Sequence, residues 1–158
     1  MRIGDYKDKA TELLERYQNL PVMNAPQDGQ NFDFPTNSDA LPDEELDSWL
    51  VLLGGWRGWV GYTLSDVDAQ LVLLEEAYTI RLGRATAAIE YKAAKKLLKE
   101  SLHGQAVDED EELASLKLTV TGLQAERTLL RGRFDFYDKL FETVSRVITR
   151  RGQERIRT

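Results

Sequence analysis

The apolar positions in the second half of the chain fall on a single stripe. Leu113, Leu116, Val120, Leu123, Arg127, Leu130, Phe134, Tyr137, Phe141, Val144 and Ile148 follow one another at alternating spacings of three and four, and only Arg127 is polar. A 3.5-residue period held over about five heptads predicts one long helix with coiled-coil-type packing. Phe134, Tyr137 and Phe141 are bulky for a two-stranded groove, which favours a core built from several helices.

A second helical stripe precedes it. Leu64, Val67, Leu71, Leu74, Tyr78, Arg81, Ala85 and Ala88 keep the same spacing, and the stripe fades at Lys92 and Lys95. Ser65, with Asp68 three residues on, reads as a capping box that starts a helix. That helix is expected to run to about residue 102, with Gly104 just past its end. The acidic run GQAVDEDEE, residues 104–112, reads as the turn into the last helix. The simplest architecture is all-α: a long antiparallel hairpin of residues 65–103 against 110–150, with shorter N-terminal helices packed beside it.

Upstream, Ile3, Tyr6, Ala10, Leu13, Leu14 and Tyr17 mark an amphipathic helix over 3–20, closed by Pro21. Residues 21–42 contain all four prolines and no basic residue, and read as a linker with Phe32 and Phe34 as tethers. Residues 1–42 thus form an N-terminal helix and acidic, proline-rich linker. Residues 43–158 are expected to form the helical oligomerisation domain, on which most of the basic residues gather. Within the latter, 43–61 is expected to be a separate helix, its start favoured by Asp43, Glu44 and Glu45 at the positive end of the dipole. It packs Trp49, Trp56 and Trp59 close to Gly54, Gly55, Gly58 and Gly61. The glycines mark either close approach of a neighbour or a kink, and the tryptophans either a subunit interface or the cap of a local core.

Composition removes several chemistries. The chain has 158 residues and no cysteine, so disulfides, thiol nucleophiles and thiolate metal sites are excluded. One histidine, His103, does not make a histidine metal cluster. The carboxylates cluster without a histidine beside them, and GGWRG lacks the lysine and hydroxyl residue of a phosphate-binding loop. Asp108 to Glu112 reads as a solvated acidic turn, with divalent-cation chelation the minor alternative. No cofactor and no catalysis are expected. The longest apolar run, from Trp49 to Gly55, is far too short to span a bilayer, and no secretory signal is evident, so a cytoplasmic protein is expected.

Charge adds a functional lead. The net charge is −6, yet residues 1–126 carry 12 basic and 23 acidic groups while 127–158 carry 9 basic and 4 acidic. Basic residues gather on two stretches. One holds Arg81, Arg84, Lys92, Lys95, Lys96 and Lys99; the other holds Arg131, Arg133, Arg146, Arg150, Arg151, Arg155 and Arg157. Repeated around a ring of subunits, each patch would form a belt suited to a nucleic-acid backbone. The bland alternative is a solvated helix end. Self-association into more than two chains is expected through Trp49, Trp56, Trp59, Leu130, Phe134, Tyr137 and Phe141, because one hairpin leaves part of the long stripe uncovered.

Over roughly residues 45–155 the order of features resembles the UvsY-like recombination mediators of tailed phages. A tryptophan-bearing helix comes first, then a charged helix ending in EYKAAKKLLKE. An acidic, glycine-containing break follows, and a long last helix closes in FDFYDKLFETVSRVITRRG. The proline-rich segment and GGWRG depart from that pattern. The resemblance implies an all-helical ring that binds single-stranded DNA and helps load a recombinase in place of a single-strand binding protein, in the host cytoplasm. It implies DNA contact through Lys92, Lys95, Lys96 and Lys99, with Arg150 and Arg151 next. The acidic N-terminal segment would be an addition that competes with DNA for the basic patches. A structural or adaptor protein without nucleic-acid binding is the alternative reading of the same heptads.

Overall fold

The computed structural model describes residues 12, 23–26, 33–93 and 98–157. Every regular element among them is helical. A 3-10 turn at Ser38–Ala40 leads into α1, Asp43–Lys92, followed by α2, Lys99–Glu109, and α3, Glu111–Arg157. Of the expected helix over 3–20 only Glu12, which is helical, is described, and Pro21, Phe32, Lys95 and Lys96 lie outside the described residues.

Two expected helices are one. The chain passes through the glycine-rich stretch and Ser65 without a break, so Ser65 is no cap. Its hydroxyl donates back to the Gly61 carbonyl at 2.9 Å, and Asp68 meets Arg127 instead of completing a capping box. Such i−4 bonding satisfies a hydroxyl inside a helix, and Ser48, Thr63, Thr79 and Thr86 do the same along α1. Pro42 sets the start of α1: its carbonyl accepts from the Leu46 amide, and Asp43, Glu44 and Glu45 fill the first turn.

The turn is also displaced from its expected place. α1 stops at Lys92, and Leu98 is extended before α2 begins. Gly104 therefore lies inside α2 and is not its terminator. The junction into the last helix contracts to one residue, Asp110, which caps α3 through a bond from the Leu113 amide to its Oδ1 at 3.0 Å.

Packing divides the described residues into two compact units, one within Asp66–Arg127 and the other within Val22–Ser65 and Thr128–Thr158. In the first, Val67, Leu71, Ala77, Leu102, Ala106, Leu113, Leu116 and Val120 are buried. The contacts Asp68–Arg127, Glu75–Gln124 and Arg81–Asp110 run in opposite directions along the two long helices, which are antiparallel there. In the second, Leu46, Leu53, Val144 and Val147 form the core, with Phe34, Leu41, Trp49, Tyr137, Phe141 and Ile148 packed against it. The segments are again antiparallel, through Gly54–Phe141, Arg57–Asp138 and Gly61–Phe134. The stripe residues of α3 are all buried or half-buried, while the α1 stripe is exposed at Lys92, where it is expected to fade, and already at Ala88, which is expected to belong to it.

Candidate nucleic-acid interface

The arginine-rich end of α3 belongs to the second unit, and acids from the start of the same unit meet it. The 3-10 turn presents Asp39, whose carboxylate accepts from Arg150 at 2.8 Å and whose carbonyl accepts from Arg151 at 2.6 Å. Asp43, four residues on at the start of α1, receives Arg151 on Oδ1 at 2.7 Å and Arg155 on Oδ2. These bonds, from Arg151 first and Arg155 next, hold the Asp43 carboxyl below the ordinary aspartate value. Arg151 is the most covered of the three, with a side chain 23% exposed; that of Arg155 is 72% exposed. Among the described residues Arg146 pairs with Glu142, on its own helix, and its side chain is 82% exposed. Arg131, Arg133 and Arg157 are exposed as well. Charge segregation in the sequence signals this cluster. The choice of Asp39 and Asp43 among seven acids between Asp28 and Asp47 needs the fold.

The lysine cluster belongs to the first unit. Lys92 ends α1 and Lys99 begins α2, both exposed, and Tyr91 beside them is 93% exposed. An exposed ring next to lysines suits stacking on a base.

The residues expected at an oligomer interface gather around α1 of the second unit. Trp49 meets the edge of Phe34 at 5.3 Å between centroids, Trp56 stacks on Tyr137 at 6.0 Å, and Trp56 and Trp59 are edge to face at 5.6 Å. A β-carbon at Gly54 would lie 3.5 Å from Phe141 and one at Gly61 3.2 Å from Phe134. The glycines are thus close-approach positions in an unbroken helix. Arg57, unnoticed in the sequence, lies over both rings, 5.7 Å from the Phe134 centroid and 5.4 Å from that of Phe141, and pairs with Asp138 at 2.8 Å. Trp49, Trp56, Trp59, Leu130, Phe134, Tyr137 and Phe141 are all half-buried within the chain, and each keeps part of its surface exposed.

The polar stripe residues have partners too. Arg81 makes two bonds of 2.7 Å to the Asp110 carboxylate and also reaches Glu112. The bond from Arg81 is the main cause that lowers the Asp110 carboxyl, and the same bond raises Arg81. Asp110 is thus committed to a cap and an arginine. Among the described residues no cluster of histidines or carboxylates could hold a metal ion, and no helix is long and apolar enough to cross a membrane. No family model, no curated protein and no solved structure matches this chain.

Proposed function

We propose that the protein is a homo-oligomeric helical protein that binds the backbone of single-stranded DNA and acts as a recombination mediator, helping to load a recombinase where a single-strand binding protein would otherwise sit. The observation that carries the DNA-binding reading is the arginine face of α3. Arg146, Arg150, Arg151 and Arg155 crowd one helix end whose guanidiniums pair with carboxylates that are themselves about half exposed. Surface pairs of this kind are weak, and a polyanion can replace their carboxylates while releasing its own counterions. Lys92 and Lys99, with the exposed ring of Tyr91, form a second contact suited to a flexible strand. The mediator role rests on the order of sequence features. The coiled-coil stripe and the half-buried aromatics of α3 would supply the contacts between more than two subunits, in a ring or bundle.

The test is binding to a labelled oligodeoxythymidine at two salt concentrations. We expect binding at ~50 mM salt that weakens steeply by ~200 mM, as backbone contacts require. No binding at the lower salt would remove the DNA reading. An adaptor or assembly protein is the second reading. It is favoured by the apolar groove at the start of α1, lined by Glu45, Ser48, Trp49 and Leu52, with Val51 76% exposed beside it. An oligomer indifferent to DNA would favour this reading.

A further inference from the structure

The arginine face proposed to hold DNA is already filled by oxygens of its own chain. Asp39 offers a carboxylate to Arg150 and a carbonyl to Arg151, and Asp43 bridges Arg151 and Arg155 with its two carboxylate oxygens. Three guanidiniums from the last turns of α3 thus meet acceptors from two carboxylates and one carbonyl. Spaced acceptors of this kind are also what adjacent phosphates present to an arginine row.

The acceptors are held in place by hydrophobic anchors that involve no arginine. Phe34 sits edge-on against Trp49, and Leu41 packs against the core of Leu46, Leu53, Val144 and Val147. Asp39 lies between these anchors in the Ser38–Ala40 turn, and Asp43 is fixed in the first turn of α1. Tethered acceptors compete at a high effective concentration, because each exchange is intramolecular. Arg151 is the most covered, but Asp39, Asp43, Arg150 and Arg155 are each about half exposed or more, so an incoming polyanion can take over the guanidiniums by re-aiming long side chains while the helices stay where they are.

We infer that residues 33–43 are a built-in competitor of the DNA-binding face, with Asp39 and Asp43 occupying the phosphate positions of Arg150, Arg151 and Arg155 until single-stranded DNA displaces them. The inference rests on the DNA reading above and adds its regulation. Apparent affinity is lowered by the fraction of molecules in which the arginines are engaged. Short or weakly charged strands lose to the acids, and long strands win by making more contacts than the acids can.

The experiment compares three full-length proteins on the same oligodeoxythymidine at ~50 mM salt: the natural chain, Asp39→Asn with Asp43→Asn, and Glu44→Gln with Glu45→Gln. The two variants remove the same charge from the same stretch, but only the first removes acceptors from the arginines. The expected result is about tenfold tighter binding for the aspartate variant and less than about threefold for the glutamate variant. Asp39→Asn alone, outside the helix, keeps the test valid if the double change disturbs α1, with about threefold expected. Binding by the aspartate variant alone would also support the inference. Equal tightening in both double variants, or no change in either, would overturn it and leave the DNA reading standing. No binding by any of the proteins would overturn both.

Discussion

Phe134 lies against the backbone of Gly61, so close that a β-carbon at position 61 would stand 3.2 Å from the ring's Cε2. Glycine inside a helix costs roughly 1 kcal/mol relative to alanine, and here the close approach of the ring offsets that cost. Gly132, in the same unit, has nothing within 4 Å of such a carbon. We predict that Gly132→Ala stabilises the protein by about 0.5–1 kcal/mol in urea unfolding. Gly61→Ala should gain less, and Gly61→Val should lower the midpoint. Equal gains from both alanines would show that the ring gives way freely.

A second prediction concerns acid. Asp110 is lowered from the ordinary value of 3.8, chiefly by its bond from Arg81. A carboxylate lowered on folding adds stability that is in place above its unfolded value and is lost as pH falls through the lowered folded value. Thermal stability should therefore drop as pH descends from about 4 toward 2, and Asp110→Asn should flatten part of that drop. At neutral pH asparagine still caps α3, and the same change should cost about 1 kcal/mol through its weaker bonds to Arg81. An unchanged acid profile in the variant would contradict the assignment.

The one charged residue in the α3 stripe, Arg127, approaches Asp68 at 2.5 Å, with both side chains roughly two-thirds covered. Removing one partner of such a pair strands the other, whereas removing both together does not. Asp68→Leu alone should destabilise by about 1 kcal/mol or more, and Asp68→Leu with Arg127→Leu should recover most of that loss. Additive losses in chemical unfolding would mean that the two charges act independently.

Phe134 also tests the proposed assembly. Truncating a buried phenylalanine costs about 3–5 kcal/mol, and the half-buried Phe134 should lose about 2 kcal/mol as Phe134→Ala. If its remaining surface meets another subunit, sedimentation of the variant should show a smaller species than the natural chain. A natural chain that sediments as a single 18.0 kDa species would defeat the oligomer proposal, leaving the stability loss intact.

The stripe of α3 was legible because it states packing directly: from Leu113 to Ile148 each marked position is buried or half-buried. Helix ends were harder to read. Ser65 and Gly104 have the chemistry of a cap and a terminator, but neither residue forces the backbone to turn, and both sit within helices whose neighbours keep packing. Asp110 outcompeted them because it bonds the Leu113 amide and Arg81 at once. The basic end of α3 was visible from charge alone. Its pairing with Asp39 and Asp43 was not, since those residues are separated from Arg150 and Arg151 by more than a hundred positions and only the antiparallel fold brings them together.

Arg57 spreads a charged plane over two phenylalanines and is itself tied to Asp138. Water, or any stranger in a crowded cell, therefore meets a cation there where the residue pattern would suggest grease. An uncovered row of rings is a common seed of indiscriminate clumping. Roofed in this way, the two rings offer no bare apolar face, and a surface that covers them must satisfy the guanidinium as well.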